Sequence, residues 1–176
     1  MALNTSPRFQ LWYNGTPAEK LAQARLLRQE IGAQLLADAD FMGEIETLRS
    51  HCLALSTQMQ AMDLGSLCSA CAARDDGGCC SASMADNTDS LQILINLLLE
   101  QPLHLREPAD SECCFLGPTG CPFMAKPIFC LNYNCHHICT GSEPGVLALL
   151  EQRAAAVLSQ QTRIESLLLE RLRCLP

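Results

Sequence analysis

Aromatic residues are scarce in this chain: one Trp, two Tyr and five Phe make up 5% of its 176 residues. The 48% of apolar residues is carried mainly by Leu and Ala, a composition that favours helix over sheet. Basic residues are also few and scattered, with 12 Lys and Arg against 19 Asp and Glu and a net charge of −7. Phosphate-backbone binding needs clustered cations, so no nucleic-acid partner is expected. Long apolar runs are missing too. Ile93-Leu94-Ile95-Asn96-Leu97-Leu98-Leu99 is too short to span a bilayer, and no membrane partner is expected. Residues 1–15 lack the positive start and apolar run of a signal peptide, so the chain reads as cytoplasmic. No Ser-His-Asp set, phosphate-binding glycine loop or carboxylate pair is legible, and no catalytic residue is assigned.

What is present is cysteine. Ten of the twelve cysteines fall between Cys68 and Cys139. They run Cys68-x-x-Cys71, Cys79-Cys80, Cys113-Cys114, Cys121, Cys130, Cys135 and Cys139. Disulfides or soft-metal ligation explain such a density, and in a reducing compartment metal is the expected answer.

Hydrophobic periodicity frames this segment with helices. The chain divides into 1–66, a long N-terminal helix; 67–140, the cysteine-rich segment; and 141–176, a C-terminal helix, together one folding unit. Over 16–62, Thr16-Pro17-Ala18-Glu19 predicts a capped start. Phe41, Ile45, Leu48, Cys52, Leu55, Met59 and Met62 step by four and three, the mark of a packed seam. Gly32 and Gly43 are the expected points of any bend, and Leu64-Gly65-Ser66 the stop. Over 143–172, Leu147, Leu150, Ala154, Val157, Gln161, Ile164 and Leu168 repeat the pattern. The expected fold is mainly α, a long antiparallel helical hairpin with an irregular cysteine-rich metal-binding insertion. The first helix outruns the second, so its arm either protrudes or folds back. A leftover stripe on such a seam would serve a protein partner or a homodimer. Inside the insertion, 89–100 predicts one helix with Leu91, Leu94, Ile95 and Leu98 buried and Gln101-Pro102 at its end.

The remaining insertion is turn chemistry, which buries too little to offset its ordering entropy, so cysteine cross-links through a metal are expected to hold it. A Cys-x-x-Cys turn brings two sulfurs to one ion. Adjacent cysteines point apart, so one member of each doublet is expected at a given site. Zinc with four thiolates and an iron–sulfur cluster both suit the donor set, and spacing does not choose between them. Cys135-His136-His137-Ile138-Cys139 offers reserve ligands. Cys52 reads as a small buried hydrophobe, Cys174 as a surface thiol, and His51 and His104 as surface polar residues.

The segment resembles the YkgJ-type cysteine cluster proteins, a family described as zinc- or iron-chelating. The resemblance rests on Cys68-x-x-Cys71 with Cys79-Cys80, on Cys113-Cys114-Phe115-Leu116 followed by Gly120-Cys121, and on Lys126-Pro127-Ile128-Phe129-Cys130-Leu131-Asn132-Tyr133. It implies metal ligation by Cys68, Cys71, Cys79, Cys80, Cys113, Cys121 and Cys130, with Cys114, Cys135 and Cys139 in reserve. The spacer between Cys71 and Cys79 is longer than the family's, and Lys126 stands where the family has Arg. Phe129 and Tyr133 are expected to pack over the site. Three functions follow as expectations. The first is a metal-binding protein holding zinc or an iron–sulfur centre for metal handling, electron transfer or support of a partner. The second is a helical interaction module with a structural zinc staple. The third is a thiol redox enzyme or sensor using Cys79-Cys80 or Cys113-Cys114.

Overall fold

A computed structural model describes residues 7–72, 80–107, 112–117, 120–131 and 135–173, with side chains for all of these except 7–9, 69–72 and 137. The described residues form eight α-helices: α1 (Pro7–Tyr13), α2 (Pro17–Ala37), α3 (Ala39–Ala61), α4 (Leu64–Ala72), α5 (Ala82–Asp86), α6 (Ser90–Leu98), α7 (His136–Gly141) and α8 (Pro144–Arg173). Among them there is one 3-10 turn, Ile128–Leu131, and no strand, so the mainly-α expectation holds. No helix of the described residues is long and apolar enough to cross a membrane.

The N-terminal start is built as the sequence predicts. Thr16 Oγ1 accepts the Glu19 N–H at 3.3 Å, and Glu19 Oε2 accepts the Thr16 N–H at 2.7 Å. The single long helix is not. It breaks at Asp38 rather than at Gly32 or Gly43, giving α2 and α3. Asp38 takes an extended conformation, sends its own N–H back to Leu35 O, and accepts from the N–H groups of Asp40 and Phe41 through Oδ1. Both helix ends are thus satisfied by one residue, which removes the cost of a break.

The break sends the two halves to different partners. α3 lies antiparallel to α8, as side-chain contacts along their length record: Arg171 with Asp38, Arg163 with Glu44 at 2.6 Å, Arg153 with Ala54 O, and Gln58 Nε2 with Val146 O at 3.3 Å. Between them Phe41, Ile45, Leu48, Cys52 and Leu55 meet Leu150, Ala154, Val157, Ile164 and Leu168, all buried. The expected hairpin seam is therefore present, while Met59 and Met62 are only partly buried at its end. α2 folds back over α6 instead of protruding, burying Leu21, Ala24, Leu27, Ile31 and Leu35.

α6 is the centre of the molecule. Leu91, Ile93, Leu94, Ile95 and Leu98 are all at or below 1% exposure, so the helix is buried by α1, α2 and α8 around an apolar surface that only Gln92 and Asn96, one turn apart, and Ser90 interrupt. Each such side chain contributes about 1.5–3 kcal/mol on burial. Asp89 caps its start by accepting from the Gln92 N–H at 2.8 Å. At its end the Gln101 N–H reaches Asn96 O at 2.9 Å and the Glu100 N–H reaches Leu97 O at 3.2 Å, with Glu100 at φ 62° in the left-handed position usually held by Gly.

The insertion is more helical than expected. The stop after α3 is made at Asp63, with φ 50°, and Leu64-Gly65-Ser66 begins α4 instead of ending a helix. Cys68 and Cys71 consequently lie one turn apart on a helix, not in a tight turn.

Candidate metal centre

The cysteine blocks are brought together by backbone pairing. The Cys113 N–H donates to Cys80 O at 2.9 Å, joining the first and second blocks through the Ser81–Glu112 bridge. Gly117 and Gly120 then exchange two hydrogen bonds of 2.9 and 3.0 Å, closing a turn that returns the chain to Cys121. Gly120 sits at φ 102°, a conformation side-chain-bearing residues rarely adopt, which accounts for the glycine in front of that cysteine. The Cys130 N–H donates to Pro127 O at 2.9 Å within the 3-10 turn.

The stretch between Cys121 and Cys130 is clamped from below. Asn96, fully buried on α6, accepts the Ala125 N–H at 3.0 Å and donates to Ala125 O at 2.8 Å. Gln92 Nε2 also donates to Ala125 O at 2.7 Å, and Gln161 Nε2 of α8 to Lys126 O at 3.0 Å. Phe115 and Phe123 pack edge to face at 5.0 Å and are buried beneath the loops. Phe129, expected to pack over the site, is instead 55% exposed and does not line the cleft, while Tyr133 lies outside the described residues.

A cleft of about 520 Å³ opens between these loops, the second half of α3 and the start of α4. Cys68, Cys80, Cys113, Cys121 and Cys130 all line it, as do Met59, Met84, Met124 and Lys126. Of the other two expected ligands, Cys71 has its backbone in α4 but its side chain outside the described set, and Cys79 lies outside the described residues. The doublet is divided as geometry requires. Cys113 faces this cleft and Cys114 faces a smaller one of about 290 Å³ on the opposite side, beside Asp86, Arg106 and Glu112.

The reserve ligands do not join it. Cys135 caps α7, and His136 and Cys139 are exposed on that helix, away from the cleft. His137 lacks a described side chain, and Cys174 is outside the described residues. Cys52 was legible only as a seam residue; it is buried as expected, yet it also forms part of the α3 wall of the cleft. Helical spacing carries no signal for that second role.

Electrostatics ties the thiols to one another. Burial pushes Cys80 up to about 11, with Cys121, Cys113 and Cys68 adding to the rise. Burial likewise pushes Cys130 up to about 12, helped by Cys121, Cys80 and Cys113. Cys113 is raised mainly by burial, and Cys121 adds to it. A bound cation reverses that sign, because a coordinating thiol is deprotonated outright. Burial raises Cys52, Cys80, Cys113, Cys114 and Cys130 alike, the opposite of what a thiolate nucleophile requires.

Cys80, Cys113, Cys114, Cys121, Cys130 and Cys135 are thiols and not disulfide partners. Among the described residues no three His, Cys, Asp or Glu side chains form a ready ligand shell. The cleft gathers soft donors around one space without fixing them at coordination distances. Comparison of the chain with family models, curated proteins and solved structures finds no match.

Proposed function

We propose that this protein binds a thiophilic metal, as zinc or an iron–sulfur centre, in the cysteine cleft. One observation carries the reading: six cysteines from separate stretches of chain, Cys52 and the expected ligands Cys68, Cys80, Cys113, Cys121 and Cys130, line a single cleft, and neighbouring cysteines add to the rise at Cys80, Cys113 and Cys130. Their order follows the zinc- or iron-chelating cysteine cluster family that the sequence resembles. On that resemblance Cys71 and Cys79 complete the set. Soft thiolate donors suit zinc and iron–sulfur centres alike. Metal binding then adds folding free energy to the loops that carry the thiols. The role that follows is metal handling, electron transfer or support of a partner.

Anaerobic purification followed by zinc, iron and acid-labile sulfide analysis tests this. At least one metal per chain is expected. Less than about half a metal per chain, with all thiols titratable, sinks the reading. A broad absorption near ~400 nm selects iron–sulfur, and a colourless zinc-loaded sample selects zinc.

A second reading, an interaction module stapled by structural zinc, draws support from Ile128 and Phe129, which are 62% and 55% exposed immediately before Cys130. It expects a redox-silent metal and loss of partner or self association when both are changed to Ser. Unchanged association in that variant counts against it.

A further inference from the structure

Among the described residues lining the cleft, Lys126 is the only one with a charged side chain. It lies in sequence between Cys121 and Cys130, and its backbone is fixed from two sides. Gln161 holds its carbonyl at 3.0 Å, and Asn96 holds both backbone groups of Ala125 next to it. Its Nζ donates to Phe123 O at 3.1 Å, which uses one of three ammonium protons and keeps the head group on the loop beside the thiols. A cation there is not needed for the apolar packing of the loops, which Phe115 and Phe123 supply.

We propose that Lys126 is the charge-compensating group of the cysteine cleft, setting how tightly it holds a thiolate-ligated metal. The inference rests on the metal-binding reading above. Four thiolates around one divalent ion leave two net negative charges, and a low-dielectric cleft makes such an excess costly unless a cation stands nearby. Lys126 supplies that cation without being a ligand. For an iron–sulfur centre the same charge raises the reduction potential, which depends on net charge around the cluster.

The test compares full-length wild type, Lys126→Gln and Lys126→Arg, each stripped and reloaded with Zn2+ alone. Zinc per chain is counted, and affinity is read by competition with a chromophoric chelator. Gln retains a donor for Phe123 O but no charge, whereas Arg retains the charge. The expected result is equal stoichiometry in all three, an affinity about tenfold weaker in Lys126→Gln, and Lys126→Arg within about threefold of wild type. Zinc held equally tightly by Lys126→Gln overturns the proposal. So does an equal loss in both variants, which would assign the effect to shape and not charge. Wild type that takes up neither Zn2+ nor, in a parallel loading, iron with sulfide overturns the metal reading itself and this proposal with it.

Discussion

The helical frame and the cysteine loops are held by different physics. Around α6 and along the α3–α8 seam, order comes from apolar side chains at or near full burial, which need no further partner. In the loops a smaller apolar set, Phe115, Phe123, Ala125 and Leu131, is joined by a few backbone hydrogen bonds, a glycine at positive φ and the Asn96 clamp. The frame therefore sets where the loops begin and end. On the proposed metal-binding reading the loops carry the chemistry, and their local stability depends the more on the bound ion.

Breaking the frame gives the largest effect. Leu48→Asp places a charge in the fully buried α3–α8 seam and is expected to cost more than ~4 kcal/mol, seen as loss of the cooperative helical melt. A variant that melts like wild type would refute the assignment of that seam as the core.

Cys121→Ser probes the other region. Cys121 acts on Cys80, Cys113 and Cys130, so metal content is expected to fall well below one per chain while far-UV helicity is kept. Parallel loss of both would mean that frame and loops form one inseparable unit.

Asn96→Ala joins the two regions. It strips the Ala125 N–H of its acceptor in a buried setting, and a loss of about 1–3 kcal/mol is expected in denaturant titration. Amide exchange should rise first at Ala125.

Glu100→Gly sharpens the frame instead of breaking it. Removing a side chain from the left-handed end of α6 is expected to stabilise by up to ~1 kcal/mol, read as a raised denaturant midpoint.

The smallest effect is one of pH. Burial raises the Glu165 carboxyl above its ordinary value, and Tyr13 donates to its Oε1 at 2.9 Å. With the folded value above the unfolded one, its contribution to stability is complete below the unfolded value and is lost as pH rises through the folded one. Glu165→Gln, which keeps an acceptor for Tyr13, is expected to flatten that part of the stability–pH curve. An unchanged slope in the variant would show that this carboxyl does not produce it.

Much of the frame was readable because its cause is periodic. The four-three steps from Phe41 to Leu55 and from Leu150 to Leu168 need a facing stripe, and each found the other. The break at Asp38 was hidden inside Ala37-Asp38-Ala39-Asp40, which has no glycine or proline; only the tertiary choice of α6 as partner for α2 makes it necessary. The stop at Asp63 was missed for a related reason, since an Asp in a left-handed conformation leaves less mark than the glycine two residues later. Within the site, the density and spacing of the cysteines marked the blocks that line the cleft. The Cys80–Cys113 backbone bond, the Asn96 clamp and the second role of Cys52 are long-range, and no local pattern encodes them.

The contact of Gln58 with Val146 O places the exit of the chain from α3 beside its return into α8. The whole cysteine segment is thereby a loop already closed by a helical clasp, and the entropy of bringing its ends together is met by the frame. Further lengthening of such a loop is cheap, at about 0.6 kcal/mol for each doubling. The seven residues between Cys71 and Cys79 lengthen a loop whose ends the frame already holds together, so they add little to the cost of closing it.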